Sequence, residues 1–78
     1  MSWIPPHDLE SEAIVLGGSM YEPVLAAHAL EQLRPDMFYA ESHRTVFEAV
    51  AHLADRQKPT DVPGVTALLL HRGQLDNV

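Results

Sequence analysis

The stretch from Phe38 to Leu53 reads FYAESHRTVFEAVAHL, and a helix is the conformation that sorts its apolar residues from its polar ones. On a wheel of about 100° per residue, Val46, Phe47, Val50, Leu53 and Ala54 fall within an arc of about 120°. That is one core-facing stripe. Glu41, Arg44, Glu48, His52, Asp55 and Arg56 fall on the other side. Ser42 stands where an N-cap would accept a bond from the free amides of the first turn. His43 alone interrupts the pattern, about 20° from the centre of the apolar stripe. A histidine there is expected to be a core residue bonded to a nearby carbonyl or carboxylate, rather than a catalytic base.

Six prolines punctuate the rest of the chain, and none falls inside a stretch that reads as helix interior. Pro5-Pro6 forbid a helix before residue 7. Asp8 then offers an N-cap, with Glu10 and Glu12 in the first turn where the helix dipole favours negative charge. The first helix is expected over residues 9–20. Leu9, Ala13, Leu16, Gly17 and Met20 share its face, while Ile14 and Val15 point away. Gly17 and Gly18 each cost about 1 kcal/mol in a helix interior relative to alanine, which suggests a close backbone neighbour. Pro23 suits the first position of a second helix reaching about residue 33, with Val24, Ala27, Leu30 and Leu33 as its buried side.

Arg34-Pro35-Asp36 ends that helix, and Met37-Phe38-Tyr39 reads as a tight apolar turn. The third helix stops before Lys58-Pro59. Thr60 or Asp61 caps a fourth, Pro63 is tolerated in its first turn, and Gly73 is a natural C′ residue, with Leu75 placed to fold back. The run Leu68-Leu69-Leu70 cannot all face inward. No stretch alternates with the period of a strand. The expected fold class is therefore all-α: a small bundle of about four helices over residues 8–78, preceded by an N-terminal extension over residues 1–7.

A chain of 78 residues is one small domain, and folding at this length buries about 60–65% of the surface that the unfolded chain exposes. With 46% hydrophobic residues but only two Phe, two Tyr and one Trp, the core must be mostly aliphatic. The chain has no cysteine, which excludes a disulfide framework and a zinc ribbon. Neither a signal peptide nor an apolar run of about 20 residues is present, so the expected location is the cytoplasm. The net charge is −6, with Arg34, Arg44, Arg56, Lys58 and Arg72 as the only cations besides histidine. Scattered in sequence, they equip the chain poorly to neutralise DNA phosphates by itself.

Catalytic chemistry finds no footing. The glycines are Gly17, Gly18, Gly64 and Gly73, and none is followed by the Lys-Ser or Lys-Thr that completes an ATP-binding loop. Among His7, His28, His43, His52 and His71, the closest local arrangement with a carboxylate is Glu48 with His52, one turn apart. That reads as a surface pair and not a metal site. No catalytic, cofactor-binding or metal-ligating residue is assigned. Ile14, Val15, Leu68 and Leu70, apolar residues outside the main stripes, are instead the candidate protein interface, the alternative being that a small helical domain buries its helices on two sides.

Three blocks of sequence carry a family resemblance. Pro5-Pro6-His7-Asp8-Leu9-Glu10-Ser11-Glu12-Ala13 with Val15-Leu16-Gly17 resembles the opening of bacterial DnaB-type replicative DNA helicases. Phe38-Tyr39, His43, Val46-Phe47-Glu48-Ala49 and Leu53 match its next block; Pro59-Thr60-Asp61 and Gly73-Gln74-Leu75 match a third. The order holds from about residue 5 to residue 78. Such a region is the helical N-terminal domain of those helicases, without ATPase chemistry. The resemblance implies a role in the hexameric collar, with other helicase subunits, primase and a helicase loader as partners. ATP and Mg²⁺ belong to the parent motor, through which DNA is also bound. Family members continue into a helical hairpin, a linker and the ATPase domain; the alternative is a stand-alone adaptor of the same fold that binds a helicase, loader or primase. Three departures stand out. Glu22 replaces a better capping residue before Pro23, Pro63-Gly64 replace Val-Thr in a way expected to loosen helix four, and Leu68 and Leu70 replace charged positions.

Overall fold

The computed structural model describes residues 8–77; the expected extension over residues 1–7, with Pro5-Pro6, lies outside the described residues. Four helices follow one another: α1 (Leu9–Tyr21), α2 (Pro23–Gln32), α3 (Glu41–Asp55) and α4 (Val62–His71). Short 3-10 turns occupy Pro35–Met37 and Leu75–Asn77. The described residues contain no strand, so the architecture is the all-α bundle that the spacing predicts.

The helix ends show why the chain folds here. Asp8 caps α1, its carboxylate accepting from the Ser11 amide at 2.7 Å. Glu22 alone separates α1 from α2. Its amide closes α1 on the Gly18 carbonyl at 2.8 Å, and its own carbonyl receives the Ala26 amide of α2. Its side chain makes no capping bond. Asp61 caps α4 by accepting from the Gly64 amide at 2.9 Å. Far from loosening this start, Gly64 is needed there, because a Cβ at that position would lie 2.7 Å from the Pro59 carbonyl oxygen.

α3 and α4 end in the same way, with the second residue past the cap bonding back to the third-last residue of the helix. At α4, Gly73 adopts φ 70° while Gln74 donates to the Leu69 carbonyl at 2.8 Å and Gly73 to Leu70 at 3.1 Å. At α3, Lys58 donates to Leu53 at 2.9 Å and Gln57 to Ala54 at 3.0 Å. There the left-handed position falls to Gln57, at φ 57°, a conformation that glycine would adopt with less strain.

α3 is the central element. Its Phe47, Ala49, Val50 and Leu53 are buried, and they serve two clusters. One joins Val50 and Leu53 to Ala26, Ala49, Val65 and Leu69, with Met20, Leu68 and Leu75 packed on its edge. The other joins Phe47 to Leu16, Ala29, Leu33 and Phe38, the two phenyl rings meeting at 4.9 Å between centroids. Leu30 and Val46 touch both.

Two faces differ from the sequence reading. The buried side of α1 runs Glu12, Leu16 and Ser19, not Leu9, Ala13 and Gly17, which are exposed. The buried side of α2 is Ala26, Ala29 and Leu33, while Val24 and Ala27 are exposed. Both helices are apolar around much of their circumference, so periodicity could not fix their rotation. Among the described residues, a Cβ at Gly18 would meet the Leu25 side chain at 3.2 Å and one at Gly17 would meet nothing within 4 Å, so the expected close backbone neighbour is not found there.

Candidate interaction surfaces

One polar constellation lies in the interior. Glu12 is 1% exposed, and its carboxylate accepts from the Tyr39 amide, the Ala40 amide at 3.2 Å and His43 Nδ1 at 2.8 Å. A carboxylate bond of this kind requires that His43 carry its proton on Nδ1. Ala40, not Ser42, is the N-cap of α3, and it has no capping side chain of its own. Glu12 of α1 instead holds the amides of Tyr39 and Ala40, at and just before the cap, and Arg44 returns from α3 to donate to the Phe38 carbonyl at 3.0 Å. Burial alone would raise the Glu12 carboxyl; the bonds from Tyr39, His43 and Ala40 outweigh it and hold the group below its ordinary value. Ser19, also buried, donates to the Val15 carbonyl at 2.8 Å. Among the described residues no buried side-chain polar atom is left without a partner.

His43 is thus the core histidine expected from the wheel, bonded to a carboxylate. Glu12 was not identified as buried from sequence. The signal was nonetheless there, since Glu12 shares the α1 face of Leu16 and Ser19 at helical spacing. The expected Glu48–His52 pair does not form; His52 Nδ1 instead receives Arg56 at 3.0 Å and Arg72 at 2.8 Å. Among the described residues, no three His, Asp or Glu side chains converge as a metal site would require.

Of the candidate interface residues, Ile14 on α1 is 67% exposed and Leu70 on α4 is 65% exposed. Val15 and Leu68 are half-buried and pack against the second and first core clusters respectively. Two large side chains not singled out for this role, Tyr21 and Val24, stand out from the α1–α2 corner at 89% and 62% exposure. Tyr21 lies two turns beyond Ile14 on the same side of α1. Shallow grooves of about 370 and 310 Å³ flank the α3–α4 loop. Leu53, Ala67 and Leu68 line one, Ala26, Leu30 and Ala54 the other, and Lys58 and Pro59 line both. No helix among the described residues is long and apolar enough to cross a membrane.

An all-helical domain with apolar residues at its surface and no assembled catalytic centre among its described residues has many relatives of one kind. The replicative DNA helicase DnaB of Geobacillus stearothermophilus is 39% identical over 75 residues, covering 96% of this chain and 16% of the helicase. The DnaB of Mycobacterium leprae is 39% identical over 74 residues, covering 95% and 12%. The chain therefore spans less than a fifth of the length of these relatives. Its fold matches the crystal structure of the N-terminal domain of DnaB helicase from Mycobacterium tuberculosis with a TM-score of 0.87 and 40% identity, over 95% of this chain and 53% of that one. A family model described as DnaB-like helicase N terminal domain matches residues 4–78. With fold, sequence and family model agreeing over nearly the whole chain, this protein belongs to the DnaB-like helicase N-terminal domain family.

Proposed function

We propose that this domain serves the assembly of a replicative DNA helicase rather than its chemistry, helping to hold a hexameric collar and to dock primase. In this reading the rest of the full-length product carries the motor, and with it the sites for ATP, Mg²⁺ and DNA. A helicase loader would be a further partner, and the work would take place in the cytoplasm. The observation that carries the reading is the exposure of Ile14 and Leu70 on an acidic domain of this family. Isolated apolar residues are ordinary on a surface, but large ones on a small helical domain are suited to partner contact.

The test begins with the intact mass of the native product. A chain several times longer than 78 residues supports the helicase reading; a product of 8.7 kDa would replace it with the stand-alone adaptor. In the longer product, Ile14→Glu with Leu70→Glu should weaken ring assembly or primase co-elution by about tenfold. Unchanged assembly and primase retention in that folded variant would overturn the proposal.

A further inference from the structure

The folded chain gathers cations that the sequence scatters. Arg56 follows the last residue of α3, and Arg72 follows the last residue of α4. Both guanidiniums turn to one acceptor, the Nδ1 of His52, at 3.0 and 2.8 Å. Lys58 is close enough for its charge to act on the same ring, with Asp55 the opposing charge. Two of the five Lys and Arg residues thus meet at one ring, with Lys58 in its neighbourhood, on a protein of net charge −6.

This cluster is rich in donors and poor in acceptors. Each guanidinium offers five N–H donors, whereas one imidazole nitrogen offers a single lone pair. Since Nδ1 accepts, the His52 proton sits on Nε2, which adds another donor. Among the described residues the ion pairs are Arg34–Asp36 and Glu12–His43, so neither Arg56 nor Arg72 is neutralised by a carboxylate. Two like charges directed at a neutral ring remain short of an anion, and a forked donor pair matches the two oxygens of a carboxylate.

We propose that Arg56, Arg72 and His52, with Lys58 beside them, form a receptor for the carboxylate side chains of an acidic segment on a protein partner. Two features favour a protein over a nucleic acid. A phosphate backbone would run from this small patch onto a surface of net negative charge. Lys58 also lines both apolar grooves beside the α3–α4 loop, which suit aliphatic side chains flanking an acidic residue. The proposal stands independently of whether the domain works within a helicase ring.

The test uses the 78-residue chain labelled with nitrogen-15, with a tetraglutamate peptide and a single-stranded oligothymidylate as separate probes. The peptide should shift the side-chain signals of Arg56, Arg72 and His52 saturably. Its affinity should fall about tenfold in R56Q/R72Q, and again on raising the salt. R72K, which keeps the charge but not the fork, should recover only part of the loss. Melting temperatures within a few degrees of the parent would show that the variants fold. Absence of saturable shifts, undiminished binding by folded R56Q/R72Q, or tighter binding of the oligothymidylate at the same signals would overturn the proposal.

Discussion

His43 and His52 share one helix and little else. His43, at the start of α3, donates a hydrogen bond to a buried carboxylate that also holds two backbone amides. His52, toward the other end, accepts from two exposed arginines and meets no carboxylate there. At the first end, one carboxylate and the three N–H groups around it are matched within the fold, so the arrangement is complete and structural. At the second, like charges collect with one neutral acceptor among them, which leaves an unmet demand at the surface. The contrast teaches that a histidine's role follows from whether its surroundings are already satisfied, and not from its place on the wheel.

The strongest challenge to this contrast is Phe47→Ala, which empties the cluster on which the His43 end rests. It should destabilise the domain by about 3–5 kcal/mol, enough to unfold much of so small a chain; a thermal melt within a few degrees of the parent would show that the His43 end does not depend on this packing. Next comes Glu12→Ala. It leaves two amides and a part-buried histidine without their acceptor, at an expected cost of about 3 kcal/mol by denaturant titration.

The Glu12 variant also predicts a pH signature. Because the folded carboxyl titrates below its ordinary value, its stabilising contribution is complete above the unfolded carboxyl range and is lost as pH falls through the folded value. Glu12→Ala should therefore flatten the acid side of the stability profile. A parallel loss in parent and variant would assign acid sensitivity elsewhere.

The smallest effect is expected at the other histidine. Partial burial, then the charges of Arg56, Arg72 and Lys58, lower the His52 pKa. Protonation thus favours the unfolded chain, and stability declines slightly as pH drops below the ordinary histidine range. His52→Ala should remove that decline while moving the neutral-pH melting temperature by no more than about 2 °C. A large shift would place His52 among the structural residues and erase the contrast.

Much of this fold was legible in the sequence because the chain punctuates itself. Asp8, Pro23, Asp61, Pro63 and Gly73 each mark a helix boundary by their own backbone chemistry, and the stripe of α3 places Phe47, Val50 and Leu53 in the core. Rotation of α1 and α2 was not legible, since apolar residues nearly surround both and only tertiary contact decides between Val24 and Ala26. The start of α3 was misplaced for a related reason. Ser42 has the right side chain for a cap, but the helix begins one residue earlier, where Glu12 of another helix fixes the Tyr39 and Ala40 amides. The cation cluster was equally hidden, because Arg56 and Arg72 belong to different helices. Their sequence separation says nothing of a shared acceptor.

The reach of Glu12 also bears on the order of folding. Its bonds join positions 27 to 31 residues apart, and the intervening chain contains all of α2 and the Pro35–Met37 turn. Closing so long a segment costs entropy before its contacts return any gain, whereas α2 and its corner with α1 can form locally. The carboxylate is thus suited to engage after the transition state, as the last fastening between α1 and α3. A bond made that late has little influence on how fast the domain forms, and acts chiefly on how long it stays closed.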